Sequence, residues 1–344
     1  MLLAMKKRIC ILYTGGTLGM RQTAQGYVPE EQLDKLLAET LPSARYEALP
    51  AYELMNMPRR IDSANIQPAD WQAIAQTIQT CYPHFDGFIV LHGTDTMAYT
   101  ASALSFMLRG LTKPVILTGS QIPLRQMRND AQNNLMTALM LAAEHPLPEV
   151  MLYFNGHLLR GNRSTKISAD GFDAFASPNY PALGTVGIRI EIDPNVPQQA
   201  TGPENFQLPD YPAGAVVILR LFPGLSPDWL RACLQTPVRG VIMQAYGVGN
   251  APVASAGFLQ VLEQARQQGI LIVSVSQCLE GTVDLQAYAT GSALAERGVI
   301  SGLDMTTEAA FCKLNHLLAL GLTADDIRTQ MTQNLCGECT PGIS

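Results

Sequence analysis

Arg8-Ile9-Cys10-Ile11-Leu12-Tyr13-Thr14-Gly15-Gly16-Thr17-Leu18-Gly19 passes from apolar strand formers to a glycine turn flanked by threonines. Residues 8–12 read as a buried strand, and Thr14 to Gly19 as the loop leaving its carboxyl end. Gly15 and Gly16 permit positive φ and close approach of a ligand to the backbone. A threonine hydroxyl on such a turn suits a nucleophile if a neighbour takes its proton. It suits equally a glycine turn that threonines merely cap. The loop has neither G-x-G-x-x-G nor a Gly-Lys-Ser/Thr ending, so neither phosphate-binding fingerprint applies.

Outward from this stretch the chain alternates. Arg21 to Glu31 is polar, with Gly26, Tyr27 and Pro29, and reads as a lid or a plain surface loop. Residues 44–62 read as irregular and proline-dotted. Pro68 opens a helix whose Trp71, Ile74, Ile78 and Cys81 share one face. Strands follow at 87–91, 114–118 and 150–154, with helices over 96–108 and 130–144 between them. That rhythm means βαβ units and a parallel sheet covered on both faces. Residues 193–213 carry Pro194, Pro197, Pro203, Pro209 and Pro212 and read as a linker. Beyond it come strands at 216–219, 240–243 and 270–273, helices after Ser226-Pro227 and over 256–268, and two closing helices near 306–320 and 323–333. The fold class is therefore α/β. A larger N-terminal domain (1–192) has a mostly parallel sheet, and a smaller Rossmann-like domain (214–344) follows the linker.

Composition bounds the function. The chain has 344 residues, 47% of them hydrophobic and 15% charged, with a net charge of −6. These are the proportions of a globular protein with ample core, and the acidic balance disfavours nucleic acid or an anionic membrane as partner. No apolar run approaches the ~18 residues of a membrane span. The start, Met1-Leu2-Leu3-Ala4-Met5-Lys6-Lys7-Arg8, reverses the order of a signal peptide. Seven scattered cysteines fit a reducing compartment, so the expected location is the cytoplasm. Cys336-Gly337-Glu338-Cys339 reads as loose thiols, since neither a four-ligand zinc set nor a redox helix start accompanies it.

Ligands of open parallel sheets bind beyond the strands' carboxyl ends. That rule selects Thr14 to Gly19, then His92-Gly93-Thr94-Asp95-Thr96, then Thr118-Gly119-Ser120-Gln121; Arg160 to Lys166 is a fourth polar stretch. Asp95 or Thr96 fits a simple helix cap, Lys166 a solvated lysine, and His92 a satisfied structural histidine. Taken together, a threonine, a second threonine beside an aspartate, and a lysine form a relay in which a buried lysine accepts a proton. Asp95 either holds that lysine or binds a substrate ammonium. The five histidines are far apart, so neither a metal nor a cofactor is expected.

Tyr13 to Gly19 together with Leu91-His92-Gly93-Thr94-Asp95-Thr96-Met97 resembles the bacterial L-asparaginase family, cytoplasmic type I. The likeness extends through Thr118 to Pro123, Arg160 to Lys166 and Tyr246-Gly247-Val248-Gly249-Asn250, almost the whole chain. The resemblance implies hydrolysis of L-asparagine with Thr17 as nucleophile and Tyr27 as the lid tyrosine that helps activate it. It implies Thr94, Asp95 and Lys166 as the second catalytic set, with Asp95 also holding the α-ammonium. It implies that Ser63, beside Asp62, takes the α-carboxylate. It further implies a homotetramer in which Asn250 reaches a neighbour's site. Thr165 and Cys278 match positions of an allosteric site, but Gln244 stands where an arginine is expected, which removes a bidentate partner for a carboxylate effector. Two other readings accompany the asparaginase: a dual asparaginase/glutaminase, and an amino-acid-binding sensor without turnover. The sensor needs neither both threonines nor the lysine.

Overall fold

The computed structural model describes residues 6–24, 26–29, 32–41, 49–196 and 204–340. The chain divides into two compact units, Met1–Leu208 and Pro209–Ser344.

The first unit opens with β1 (Arg8–Gly15). The polar stretch after it is a hairpin, β2 (Met20–Thr23) paired antiparallel with β3 (Gly26–Pro29). Helix α1 (Leu33–Thr40) and strand β4 (Ala51–Ile61) come next, then α2 (Pro68–Cys81), β5 (Gly87–Leu91), α3 (Met97–Met107) and the short β6 (Leu108–Arg109). The unit continues through β7 (Val115–Thr118), α4 (Ala131–Glu144), β8 (Val150–Phe154) and β9 (His157–Arg160). It closes with β10 (Thr165–Lys166), β11 (Phe175–Ala176), β12 (Gly184–Val186), β13 (Ile190–Ile192) and β14 (Asn205–Phe206). Among the described residues the main sheet has eight strands in the order β13-β12-β9-β8-β7-β5-β1-β4. The five from β8 to β4 are parallel, and β9, β12 and β13 extend the sheet antiparallel.

The central strands bury both faces, as parallel strands covered by helices on both sides do. Every residue of β5 and β8 is buried. Alternate residues of β1, namely Ile9, Ile11 and Tyr13, join Leu135, Ala138 and Leu139 of α4 in one cluster. The intervening Cys10 and Leu12 are equally buried and face the opposite side. Helix α2 starts as expected. Pro68 occupies its first turn, Asp70 accepts from the Gln67 amide at 2.7 Å, and Trp71, Ile74, Ile78 and Cys81 are buried.

The stretch expected to be irregular contains β4, an 11-residue edge strand. Most of its residues are exposed or half-exposed, so no apolar alternation marks it. Its register against β1 shifts between the Asn56–Tyr13 and Ile61–Gly15 pairs, and Pro58 lies in that irregular step. Proline is tolerated at such an edge, where its missing amide breaks no ladder bond.

The second unit is a four-stranded parallel sheet. In chain order it comprises β15 (Val216–Arg220), α5 (Pro227–Cys233), β16 (Gly240–Ala245), α6 (Ala256–Gln267), β17 (Leu271–Ser276), α7 (Ala289–Ala295), β18 (Ile300–Ser301), α8 (Thr307–Ala319) and α9 (Ala324–Met331). The strands lie in sequence order. One face packs Val241, Met243 and Ile272 against Phe258, Val261 and Leu262 of α6. The other packs Ile242, Leu271 and Val273 against Ala310, Leu314 and Leu317 of α8. Ser226 caps α5 by accepting from the Asp228 amide at 3.2 Å. Within the expected linker, residues 197–203 lie outside the described ones. Asn205 and Phe206 pair with Arg109 and Leu108, inside the first unit.

Cys336 and Cys339 are buried rather than loose. Glu338 between them is fully buried and pairs with the fully buried Lys313 at 2.6 Å. Among the described residues no helix is long and apolar enough to cross a membrane.

Candidate active site

Strands β4, β1, β5 and β7 are consecutive in the sheet, so the loops leaving their carboxyl ends converge. The glycines make the convergence possible. Gly15 has φ +125°, and a Cβ there would stand 2.2 Å from the Ile61 carbonyl oxygen. Gly16 has φ +90°, and a Cβ would stand 2.4 Å from the Gly93 amide nitrogen. The two threonine loops thus meet backbone to backbone, a contact that any side chain would prise open. Thr14 Oγ1 donates to the Leu91 carbonyl at 2.8 Å, Tyr13 Oη to the Gly19 carbonyl at 3.0 Å, and the Leu124 amide to the Leu18 carbonyl at 3.1 Å. Thr14 is therefore a brace between β1 and β5. Thr17 opens a 3-10 turn, half-buried, and its hydroxyl makes no hydrogen bond among the described residues.

Thr94, Asp95 and Lys166 come together. Lys166 Nζ donates to Thr94 Oγ1 at 2.8 Å and to Asp95 Oδ1 at 2.7 Å. Its side chain is 18% exposed, against 62% for Asp95. Lys166 is thus not the solvated lysine that its residue type suggests, and Asp95 is held by it rather than capping α3. Gln121, which its sequence stretch did not single out, also contacts Thr94. Its Nε2 donates to the carbonyls of Ala169 (3.3 Å) and Gly171 (3.0 Å). Two acceptors on one side fix the amide orientation, so Oε1 faces Thr94 and accepts its hydroxyl at 3.2 Å. Gln121 sits in the quoted stretch 118–121, but its side-chain role depends on the loop after Lys166, which no local pattern reveals. Asp130 holds this segment by accepting from the amides of Gln121 and Ile122 at 2.9–3.1 Å.

Ser63 is buried on a 3-10 turn after β4, and Asp62 caps that turn by accepting from the Ala64 amide at 3.2 Å. Thr96 stands at the N-cap of α3 yet makes no side-chain cap bond. His92 is structural, as expected. Its Nδ1 contacts the Gly93 carbonyl at 2.7 Å and its Nε2 the Thr100 hydroxyl at 2.9 Å. Burial pushes its pKa down to about 4, outweighing the Gly93 contact and the Asp70 charge. Tyr27 lies on the hairpin, half-exposed, and its hydroxyl accepts from Gln126 Nε2 at 2.9 Å.

Three of the remaining named residues, Asn250, Gln244 and Cys278, belong to the second unit. Asn250 in the second unit closes a tight turn by exchanging backbone bonds with Tyr246 at 2.8–2.9 Å, and it accepts from Thr290 Oγ1. Gln244 Nε2 donates to Thr307 Oγ1 at 3.0 Å, and Cys278 is exposed. Thr165 belongs to the first unit, beside Lys166 on β10. Among the described residues no group of three or more His, Cys, Asp or Glu is placed to hold a metal.

Two family models cover most of the chain. The one described as Asparaginase, N-terminal matches residues 8–198, and the Glutaminase/Asparaginase C-terminal domain matches 215–331. L-asparaginase 1 of Escherichia coli K12 is 48% identical over 337 residues, covering 98% of this chain and 99% of that protein. The crystal structure of L-asparaginase I from Vibrio cholerae has a TM-score of 0.89 at 44% identity, covering 97% of this chain and 99% of that one. The thermostable L-asparaginase from Thermococcus kodakarensis has a TM-score of 0.88 at 34% identity, covering 97% and 100%.

Proposed function

Because the chain belongs to the asparaginase family, we propose that it hydrolyses L-asparagine to L-aspartate and ammonia, with Thr17 as nucleophile. The observation that carries the reading is the contact of Lys166 Nζ with both Thr94 Oγ1 and Asp95 Oδ1. A hydroxyl, an amine and a carboxylate in one chain of hydrogen bonds can move a proton to and from a reacting group. Thr17 Oγ1 adds to the side-chain amide carbon, and the C–N bond breaks as the nitrogen gains a proton and leaves as ammonia. Water then takes the place of Thr17 on that carbon, through the Thr94–Lys166–Asp95 set. Tyr27 assists Thr17 from the hairpin. Ser63, with Asp62, receives the α-carboxylate, and Asp95 the α-ammonium.

The functional unit in this reading is an oligomer, with Asn250 of the partner subunit completing the site. Sedimentation at assay concentration checks it, and a fully active monomer would refute it. Seven cysteines scattered along the chain fit a cytoplasmic enzyme. In the second unit, Gln244 offers an amide where a carboxylate effector would need a guanidinium, so activation by asparagine at a second site is not expected.

The test is ammonia release from L-asparagine and L-glutamine side by side. Fixing both α-groups measures the distance to the amide, and one extra methylene displaces the carbonyl from Thr17. A preference of at least roughly a hundredfold in kcat/KM is expected. Comparable rates would instead support a dual asparaginase/glutaminase, and no ammonia from either amide would favour a binding protein without turnover.

A further inference from the structure

Ser63 and Asp95 sit on the loops after β4 and β5, which are not neighbours, since β1 runs between them. Two contacts nonetheless lock these loops together. Thr96 Oγ1 donates to the Ser63 carbonyl at 2.8 Å. Gly93 turns a bare Cα toward Ser63, and a Cβ there would stand 2.5 Å from Ser63 Oγ. An N-cap threonine ordinarily offers its oxygen to an amide of its own helix. Thr96 forgoes that bond and spends its hydroxyl on the other loop.

We propose that Thr96, seated beside Gly93, is a positioning residue that sets the spacing between the α-carboxylate and α-ammonium subsites and so selects free α-amino acids carrying both charges. The inference rests on the reading that gives Ser63 and Asp95 those two roles. Both groups of the substrate hang from one carbon, so they dock together only if their partners stand at one separation. A looser spacing weakens substrate and transition state alike, which raises KM more than it lowers kcat. Thr94 is held independently by Gln121 and Lys166. The Ser63 carbonyl also accepts from the Ile66 amide at 3.3 Å, so removing the Thr96 hydroxyl leaves no orphaned acceptor.

The experiment compares the full-length wild type, Thr96→Val, Thr96→Ser and Gly93→Ala on L-asparagine and on succinamate, which lacks only the α-ammonium. Thr96→Val is expected to raise KM for L-asparagine about five- to tenfold with kcat within about threefold, the scale of one lost hydrogen bond. Its kcat/KM for succinamate stays at the wild-type value, and Thr96→Ser restores KM. Gly93→Ala shifts KM in the same direction and further. An unchanged KM in Thr96→Val, or equal losses on both substrates, would overturn the proposal. A wild type that releases no ammonia from L-asparagine sinks the functional reading, and this proposal with it. A wild type that favours L-asparagine over succinamate, by a margin Thr96→Val keeps in full, sinks the spacing role alone.

Discussion

Replacing Lys313 by Met would strand a carboxylate in the core of the second unit. Lys313 and Glu338 are both fully buried, 2.6 Å apart. Lys313 also donates to the Met331 carbonyl at 3.0 Å and to that of Gln333. Glu338 accepts from the amides of Leu335 and Cys336 at 2.8–3.1 Å. Removing one partner of a buried pair costs about 3–5 kcal/mol, because the other charge stays desolvated. The amide contacts that Glu338 keeps place the loss near about 3 kcal/mol. The pH dependence supplies a second check. Burial drives the Glu338 carboxyl upward, but Lys313 and the backbone donors outweigh it and the net shift is downward. In the wild type its stabilisation is therefore present above the unfolded value of about 4.3 and is lost as pH falls through the lower folded value. In Lys313→Met burial prevails, the carboxyl moves up, and protonation at mildly acidic pH relieves part of the loss. Urea unfolding of a Trp71→Phe background, followed by circular dichroism and by the fluorescence of Trp229 at neutral and mildly acidic pH, measures both effects. Lys313→Met/Glu338→Leu should recover most of the stability. A loss below about 1 kcal/mol at neutral pH, the scale of a surface pair, or a gap that widens on acidification, would refute the reasoning.

Thr94→Val and Lys166→Met should each lower kcat by about a hundredfold or more with an unchanged circular dichroism spectrum; near-normal turnover in either removes that residue from the relay. Gly16→Ala should destabilise the first unit by about 2 kcal/mol or more and abolish activity, because it combines positive φ with a backbone clash; a wild-type melting midpoint would contradict the backbone-to-backbone contact. His92 titrates near 4 when folded and near 6.5 when unfolded, so the unfolded chain binds the extra proton and stability falls as pH drops from about 6.5 toward 4. A shift of this size is worth about 3 kcal/mol, and His92→Gln should flatten that part of the pH–stability curve. A slope unaltered by the substitution would assign the acid sensitivity elsewhere.

What was legible in the sequence was what burial on both faces writes there. Phe88-Ile89-Val90-Leu91 and Val150 to Phe154 are unbroken apolar runs because parallel strands hide both sides. The helix at 68–81 carried its own proline start and apolar face. Strand β4 escaped because an edge exposes most of its residues, leaving Glu53, Arg59, Arg60 and Pro58 to look like a loop. The short α7 and β18 escaped because seven and two residues hold too little periodicity. At the candidate site, Thr94, Asp95 and Lys166, whose side chains share hydrogen bonds, were singled out by motif and strand position together. Gln121 and Thr96 were not, because their partners, Ala169, Gly171 and Ser63, lie 48, 50 and 33 residues away. A buried pair such as Lys313 and Glu338 leaves no local trace either, and the cysteines around Glu338 drew attention away from it.

The braces of the site have a kinetic consequence. Thr14 reaches Leu91 across 77 residues, and Lys166 reaches Thr94 across 72. Neither contact forms within a local hairpin or helix, so each must wait until the intervening chain has closed a long loop. During refolding, local helical structure should return well before ammonia release does. On synthesis the Lys166 contacts with Thr94 and Asp95 cannot form until Lys166 has left the ribosome. Under the proposed mechanism enzyme activity is a late reporter of folding in this chain, and a fragment that ends before Lys166 lacks the contacts to Thr94 and Asp95.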